Sequence, residues 1–519
     1  MASPHEKLAK SLDVLRALQD RGIVAIRSGN LTRTHRERLI KNGFLQEVMK
    51  GWYVPTRPDQ IKGESTAWYA LFWSFCTAYL HERFGTNWSL SPEQSLLLHV
   101  GNTTVPGQLL VRSPKARNKT TRLIYGTSLF DTRAALPGIG QIVEHEGLRL
   151  FSVPAGLVSC GPGFFPQNPT DARAALGLVR HTPDVLALLL EGGRTTVAGR
   201  LAGAFRNIGR DRIADDIVKT MRTADFDIRE TDPFEDTVNL ILPAREQSPY
   251  MNRIHLMWQQ MREPILRQFP AAPGLPSDIL AYLKAADEIY IEDAYHSLSI
   301  EGYRVSPELI ERVRSGEWNP DENEDDRGHH NALAARGYWQ AYQSVRESVR
   351  KVLEGDNPGA IGDDDHGNWY REMFGPGVTA GLLRTTDLAG YRSDQVYIRR
   401  SMHVPPRHEA VWDCMQVFFD LLREEPEPAV RVVLAHFIFV YIHPYMDGNG
   451  RMGRFFMNVM LAAGGYPWTV IPLEKRNDYM AVLENASAEQ DIAPFAMFLG
   501  GLVSDSLSGK PAPQVPNPA

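Results

Sequence analysis

The chain has 519 residues, 43% hydrophobic and 23% charged, and a formal net charge of −6. That length excludes a single ordinary core and predicts two to four domains, and the acidic balance excludes a protein coated by nucleic acid along its whole length, leaving room for a local basic face. Three cysteines, Cys76, Cys160 and Cys414, lie far apart without CxxC spacing, which argues against a disulfide framework or structural zinc.

The first residues carry no apolar core beside their charges, unlike a secretory signal. Leu8, Leu12, Leu15 and Leu18 recur at helical spacing and Gly22 stops that helix. A second helical pattern runs from Thr32 to Gly43, followed by two short runs of strand formers around Lys50-Gly51, which predicts a hairpin. Helix, helix, hairpin predicts a winged helix-turn-helix over 1–62. Nine Lys or Arg fall between Arg21 and Lys62, and Arg33, Arg36 and Arg38 lie on the second helix, where a recognition helix would meet DNA phosphates and base edges. The alternative is a solvated helix in a module that binds protein.

The apolar run from Thr66 to Phe84 closes with His81, Glu82 and Arg83, and its uncharged part falls short of a bilayer span, so a buried helix, no membrane partner and a cytoplasmic chain are expected. A mixed α/β region follows over 63–205. Within it, RSPKARNKTTR (Arg112–Arg122) has five basic residues and no acid, and is either an extension of a DNA-binding surface or an exposed loop. The segment through SPEQSLLLHV and GQLLVRSPK resembles the abortive-infection family of antitoxin-like regulators, whose N-terminal part is a winged helix. Prolines punctuate 206–275 as a helical connector and linker, and a helical domain is expected over 276–507, with a Pro-rich disordered tail at 508–519. The acidic runs DENEDDRGHH and GDDDHGN are expected to be solvated loops and not metal sites. No P-loop motif occurs.

The densest chemistry lies in IHPYMDGNGRMGRFF. An apolar helix from about Pro428 leads to His443, and the next helix starts near Arg451. The N–H groups of its first turn have no partner within the helix, and Gly448 and Gly450 let the backbone before it approach a ligand closely. That is an anion site at the positive end of a helix dipole, where Arg451 and Arg454 can clamp phosphate oxygens. Asp447 suits a hard cation bridging phosphates, and His443 a base for an attacking hydroxyl. His436, inside the apolar helix, is expected to be a hydrogen-bonded core residue.

At these residues the chain resembles the Fic family, whose signature is His-x-Phe-x-Asp/Glu-Gly-Asn-Gly-Arg-x-x-Arg; Tyr445 stands where Phe is usual. The resemblance extends over about Asp278–Leu507 and takes in GYRSDQVYIRRSMHVPP, which looks like the family's flap. It implies AMP transfer from ATP to a Ser, Thr or Tyr hydroxyl of a target protein or of the chain itself. His443 would be the general base and Asp447 would hold Mg²⁺. Gly448, Asn449, Gly450 and Gly453 would serve the phosphate loop, Arg451 and Arg454 the outer phosphates, and Tyr479 and Ser487 the base and ribose pocket. The flap residues Val396, Tyr397, Ile398 and Arg399 would border the nucleotide and pair with the target's backbone as an added strand.

YHSLSIEGYR fits the family's inhibitory motif, Ser/Thr-x-x-x-Glu-Gly/Asn, with Ser297 and Glu301. A carboxylate delivered to Arg454 would occupy the guanidinium meant for the γ-phosphate. The expected fold is therefore mainly α: an all-helical Fic domain with a β-hairpin flap, after a winged helix-turn-helix and a mixed α/β region. Two other functions fit the same residues: a DNA-binding regulator whose Fic domain senses nucleotide, and a de-adenylylating hydrolase using Glu301 to position water. The sequence leaves room for a homodimer.

Overall fold

Ser3 opens the first helix, Pro4–Gln19, by a reciprocal cap: its hydroxyl accepts the Glu6 N–H at 3.2 Å and the Glu6 carboxylate accepts the Ser3 N–H at 2.7 Å. Thr32 caps the second helix, Arg33–Lys41, and Gly43 leaves it at φ +75°. The computed structural model describes residues 3–58, 64–138, 140–234, 248–318 and 330–515. Its chain divides into two units, one of Met1–Pro249 with Tyr397–Val404, the other of Tyr250–Val396 with Pro405–Ala519.

In the first unit the strands Leu45–Met49 and Trp52–Pro55 form the expected hairpin, and Ile26–Arg27 adds a third antiparallel strand. Strand alternation sends Tyr53 into a small core with Leu15, Leu18 and Leu39, and sends Trp52 and Val54 into a second core around Trp68, Phe72 and Phe75. The hairpin is thus a wall shared by both cores. The apolar run is a helix, Thr66–Phe84, buried along most of its length. No helix among the described residues is long and apolar enough to cross a membrane.

A four-stranded sheet follows in the order Ser89–Leu90, Gln108–Ser113, Ser128–Arg133, Lys119–Arg122, its middle pair parallel. Helices then run to Thr223. A Cβ on Gly199 or Gly203 would lie 2.0 Å from the Arg229 carbonyl oxygen or 2.3 Å from that of Thr231, so the chain after the last helix lies directly against Thr195–Asn207. This corrects the expected connector at 206–275. Its beginning belongs to the first unit, its end forms the helix Pro249–Gln268 of the second, and 235–247 lie outside the described residues.

The second unit is helical and centred on Pro428–Ile442, where Val430, Leu434, Phe437 and Ile438 are fully buried. The expected flap is not a hairpin: 391–407 has no strand pairing. The tail was expected to be disordered from 508, yet the Pro513 carbonyl accepts from His296 Nε2 at 3.2 Å, and the Lys510 ammonium meets Asp505 at 2.6 Å. GDDDHGN lies in the helix Pro358–Thr379, where Asp363 pairs with Arg423 and Asp365 with Lys351. No cluster of three metal-ligating side chains occurs among the described residues. The run at 321–329 lies outside them.

The helices His330–Leu353 and Pro358–Thr379 approach most closely at Gly337, where an added Cβ would sit 1.9 Å from the Met373 carbonyl oxygen. A backbone carbonyl cannot swing away as a side chain can. Gly337→Ala is therefore expected to destabilise the second unit by about 2–3 kcal/mol, lowering the midpoint of its thermal transition by roughly 4–12 °C in calorimetry.

Candidate functional site

The apolar helix Pro428–Ile442 ends because His443 turns left-handed, at φ +54° and ψ +59°, before Pro444. A histidine in that region is strained and persists only where its surroundings hold it. Arg392 does so from beneath: its Nε donates to the His443 carbonyl at 2.8 Å, its backbone N–H donates to the Pro444 carbonyl at 2.8 Å, and its Nη2 donates to the Pro406 carbonyl. Burial pushes the Arg392 guanidinium down to about 10. Sequence reasoning missed this residue, because it acts through backbone carbonyls that leave no mark in side-chain pattern.

The half-buried His443 ring has its Nδ1 3.1 Å from the Val440 carbonyl. A carbonyl only accepts, so Nδ1 carries the proton and Nε2 presents a lone pair. Burial, offset in part by that hydrogen bond, pushes the imidazole down to about 4, so the ring is neutral near pH 7. Such a ring is free to accept a proton, although as a weaker base than an exposed imidazole.

The loop after it is fixed by Asn449, whose Oδ1 accepts the Tyr445 N–H at 3.0 Å while its Nδ2 donates to the Tyr445 carbonyl at 2.8 Å. Its side chain therefore closes the loop, and what Asn449 offers a phosphate is the backbone N–H at the helix start. Tyr445 stacks on Tyr370 at 3.8 Å, so the aromatic position packs as the sequence implied. Gly448, at φ +82°, begins the helix Asn449–Ala463, whose first N–H groups no side chain caps. Gly453 packs closely against the preceding helix: a Cβ there would meet Val440 at 2.9 Å and His436 at 3.0 Å.

Both arginines of the motif are almost fully buried. Arg451 lies between the rings of Tyr303 and Phe374, at 5.2 and 5.0 Å, and reaches Asp447 at 3.5 Å. Arg454 donates from Nε to Ser297 Oγ at 2.6 Å, and from Nη2 to the Ser297 carbonyl at 2.9 Å and to Glu301 Oε1 at 2.8 Å. Its Nη1 is buried and has no partner among the described residues. Ser297 and Glu301 close the helix Tyr290–Ile300, one turn apart as their spacing requires. Burial alone would raise the Glu301 carboxyl, but Arg454 and then Arg451 hold it below the ordinary carboxylate range. A Cβ on Gly450 would lie 2.2 Å from Glu301 Oε1, so this carboxylate covers the uncapped helix start.

Asp447 is mostly exposed, with Oδ1 accepting the Gly448 N–H at 2.6 Å. A lone carboxylate with open lone pairs beside a phosphate cradle suits a hard cation that completes its shell with phosphates and water.

Residues 368–461 match the model of the Fic/DOC family. They are a Fic domain. Proteins named protein adenylyltransferase Fic are similar to this chain: that of Nematostella vectensis is 30% identical over 245 residues, 46% of this chain and 53% of the relative. That of Drosophila willistoni is 30% identical over 231 residues, 44% of this chain and 43% of the relative. The chain spans about half the length of the curated relatives it matches. Among solved structures, Fic-1 from C. elegans is 19% identical over 66% of this chain and 91% of that chain, with a TM-score of 0.37.

Tyr479 is buried beside Arg454, with its hydroxyl 2.7 Å from His436 Nε2 and its ring against Phe495 and Phe498, and Ser487 is buried on the same helix. The expected hydrogen-bonded core histidine at 436 is therefore found, and Tyr479 is its partner. Val396 is buried in the second unit, whereas Tyr397, Ile398 and Arg399 belong to the first, where Arg399 Nε meets Glu64 at 2.7 Å and the Met402 carbonyl accepts the Val105 N–H at 2.9 Å. A buried Glu64 carboxylate needs a cation, and Arg399 supplies it. On the second helix Arg33 pairs with Glu37, Arg36 donates to the Ser28 carbonyl and Arg38 donates to the Lys7 carbonyl, so the three arginines expected to face DNA all have internal partners.

If His443 is the base, transfer by the Glu301→Gly protein should have kcat/KM nearly constant from pH 5.5 to 7.5. A histidine of ordinary pKa would lose about tenfold over that range. An acid limb centred near 6.5 would show that the imidazole titrates as an ordinary histidine and would refute its lowered pKa, not its role as base.

Proposed function

We propose that this chain transfers AMP from ATP to a protein hydroxyl and that Glu301 restrains it. The observation that carries the reading is the geometry of His443, whose Nδ1 is held by the Val440 carbonyl so that Nε2 is left as acceptor, next to an uncapped helix start with two buried arginines. The relatives named adenylyltransferase, about 30% identical over half of the chain, support the same chemistry. The triphosphate would lie along the N–H groups of Gly450 and Arg451, its outer phosphates on Arg451 and Arg454. As the acceptor oxygen bonds to the α-phosphorus, its proton passes to His443 Nε2, and the bond from the α-phosphorus to the bridging oxygen breaks to release pyrophosphate. Asp447 would hold Mg²⁺, which when bound supplies charge neutralisation for the phosphates.

In this state Glu301 lies where the triphosphate would have to enter. Its carboxylate is part of the chain and loses no translational freedom in pairing with Arg454, whereas a γ-phosphate must come from solution. With Glu301 removed, Arg454 would be a buried cation without a counter-charge, and a triphosphate its best partner.

Glu301→Gly is expected to raise incorporation of label from α-labelled ATP at least about tenfold over wild type, and Glu301→Gly with Arg454→Ala to return it to the wild-type level, a non-additive pattern. Equal incorporation by wild type and Glu301→Gly at saturating ATP would end the restraint model. His443→Ala in the Glu301→Gly background should lower transfer by about 10²- to 10⁴-fold with ATP affinity by calorimetry nearly unchanged, since the base acts only on the attacking hydroxyl. Transfer at full rate in that variant would remove His443 from the reaction.

A further inference from the structure

The first unit carries a basic surface that the transfer reaction does not use. Between Arg112 and Arg133 there are six Lys or Arg and one Asp, in a chain whose overall charge is −6. Lys115, Arg117, Lys119, Arg122 and Arg133 are exposed, and none has an ion pair or side-chain hydrogen bond among the described residues. The arginines of the second helix differ, since each has an internal partner.

The backbone beneath these charges is held in shape. The Asp131 carboxylate, turned inward and paired with Arg83, accepts the Arg117 N–H at 2.8 Å and the Lys119 N–H at 3.3 Å. Asn118 Oδ1 accepts the Arg133 N–H at 2.7 Å, and Ala116 is buried as an anchor for the turn. Lys119–Arg122 pairs antiparallel with Ser128–Arg133 as an edge ribbon, with Lys119 opposite Asp131 and Arg122 opposite Ser128. Five like charges on one ordered ribbon repel one another within a screening length of about 8 Å, a cost that an anion of repeating charge removes.

We propose that this ribbon binds the phosphate backbone of duplex DNA. Along the edge strand the cations span about 10 Å from Lys119 to Arg122, with Arg133 at the end of the neighbouring strand and Lys115 and Arg117 in the turn before. The ribbon is the edge of a four-stranded sheet and not a free hairpin, so it suits contact with phosphates along the outside of a duplex and not insertion into a groove. No aromatic ring between Arg112 and Arg133 is exposed, so the patch offers no stacking platform for unpaired bases and does not suit single strands. The proposal is independent of AMP transfer.

The test uses the full-length chain without ATP, in EDTA, and follows anisotropy of a labelled mixed-sequence duplex as salt is raised from about 50 to about 200 mM. Joint substitution of Lys115→Gln, Arg117→Gln, Lys119→Gln and Arg122→Gln should weaken binding about a hundredfold at low salt and reduce the slope of log K against log salt by about 3–4, with the circular dichroism unchanged. Lys115→Arg with Lys119→Arg keeps the charge and should bind like wild type, and Arg33→Gln, Arg36→Gln and Arg38→Gln together should leave most of the affinity. Wild-type protein that binds no duplex at low salt, a fourfold variant with unchanged affinity and slope, or tighter binding of a single strand of equal length would each overturn the proposal.

Discussion

A buried guanidinium without a counter-charge is among the most costly features that a protein interior can hold, and Arg454 is nearly fully buried. Its fork is fixed by Ser297 and by the Glu301 counter-charge, and Nη1 has no hydrogen-bond partner among the described residues. The neighbouring elements of the second unit are arranged around that guanidinium. The start of Asn449–Ala463 adds uncapped N–H groups, Gly450 lets an oxyanion come within contact distance of the backbone, and the end of Pro428–Ile442 puts a neutral imidazole nearby. In the function proposed above, Glu301 and a triphosphate would compete for this one place.

The strain at His443 shows how the same packing fixes orientation. A left-handed histidine would relax if its carbonyl were free, and Arg392, itself almost fully buried, holds that carbonyl and the next one. The ring's tautomer then follows from a single backbone oxygen, that of Val440. The protonation state of the base is therefore set by main-chain geometry and by exclusion of water, with no side-chain carboxylate hydrogen-bonded to the ring.

Much of the second unit was legible from sequence, because apolar periodicity, Pro428 and the glycine-rich loop each impose a local structure that tertiary packing does not reverse. The meeting of Glu301 with Arg454 was legible too, since spacing on one helix face carries the information. The packing roles of Asn449 and Gly453 were not legible, because within a motif residues that shape the loop cannot be distinguished by type from residues that touch a ligand. The flap was misread because strand formers such as Val396 and Tyr397 do not pair unless a partner strand is available, and this stretch finds its contacts one residue at a time. The basic ribbon was undecidable in sequence, since whether its charges were free or paired depended on Asp131, at least nine residues away from each residue of that run.

The first unit is not a continuous stretch of chain: Met402 and Val404 pack against the core of Trp68 and Phe72, almost 150 residues after the rest of that unit ends at Pro249. A ribosome making this protein from its N-terminus must complete about half of the catalytic unit before the first unit has all of its parts. The two halves therefore cannot mature in strict order of synthesis, and truncation at the boundary near residue 250 leaves the first unit without part of its packing. The second unit, by contrast, lies within one unbroken stretch, 250–519, so only the first waits on residues made long after the rest of it.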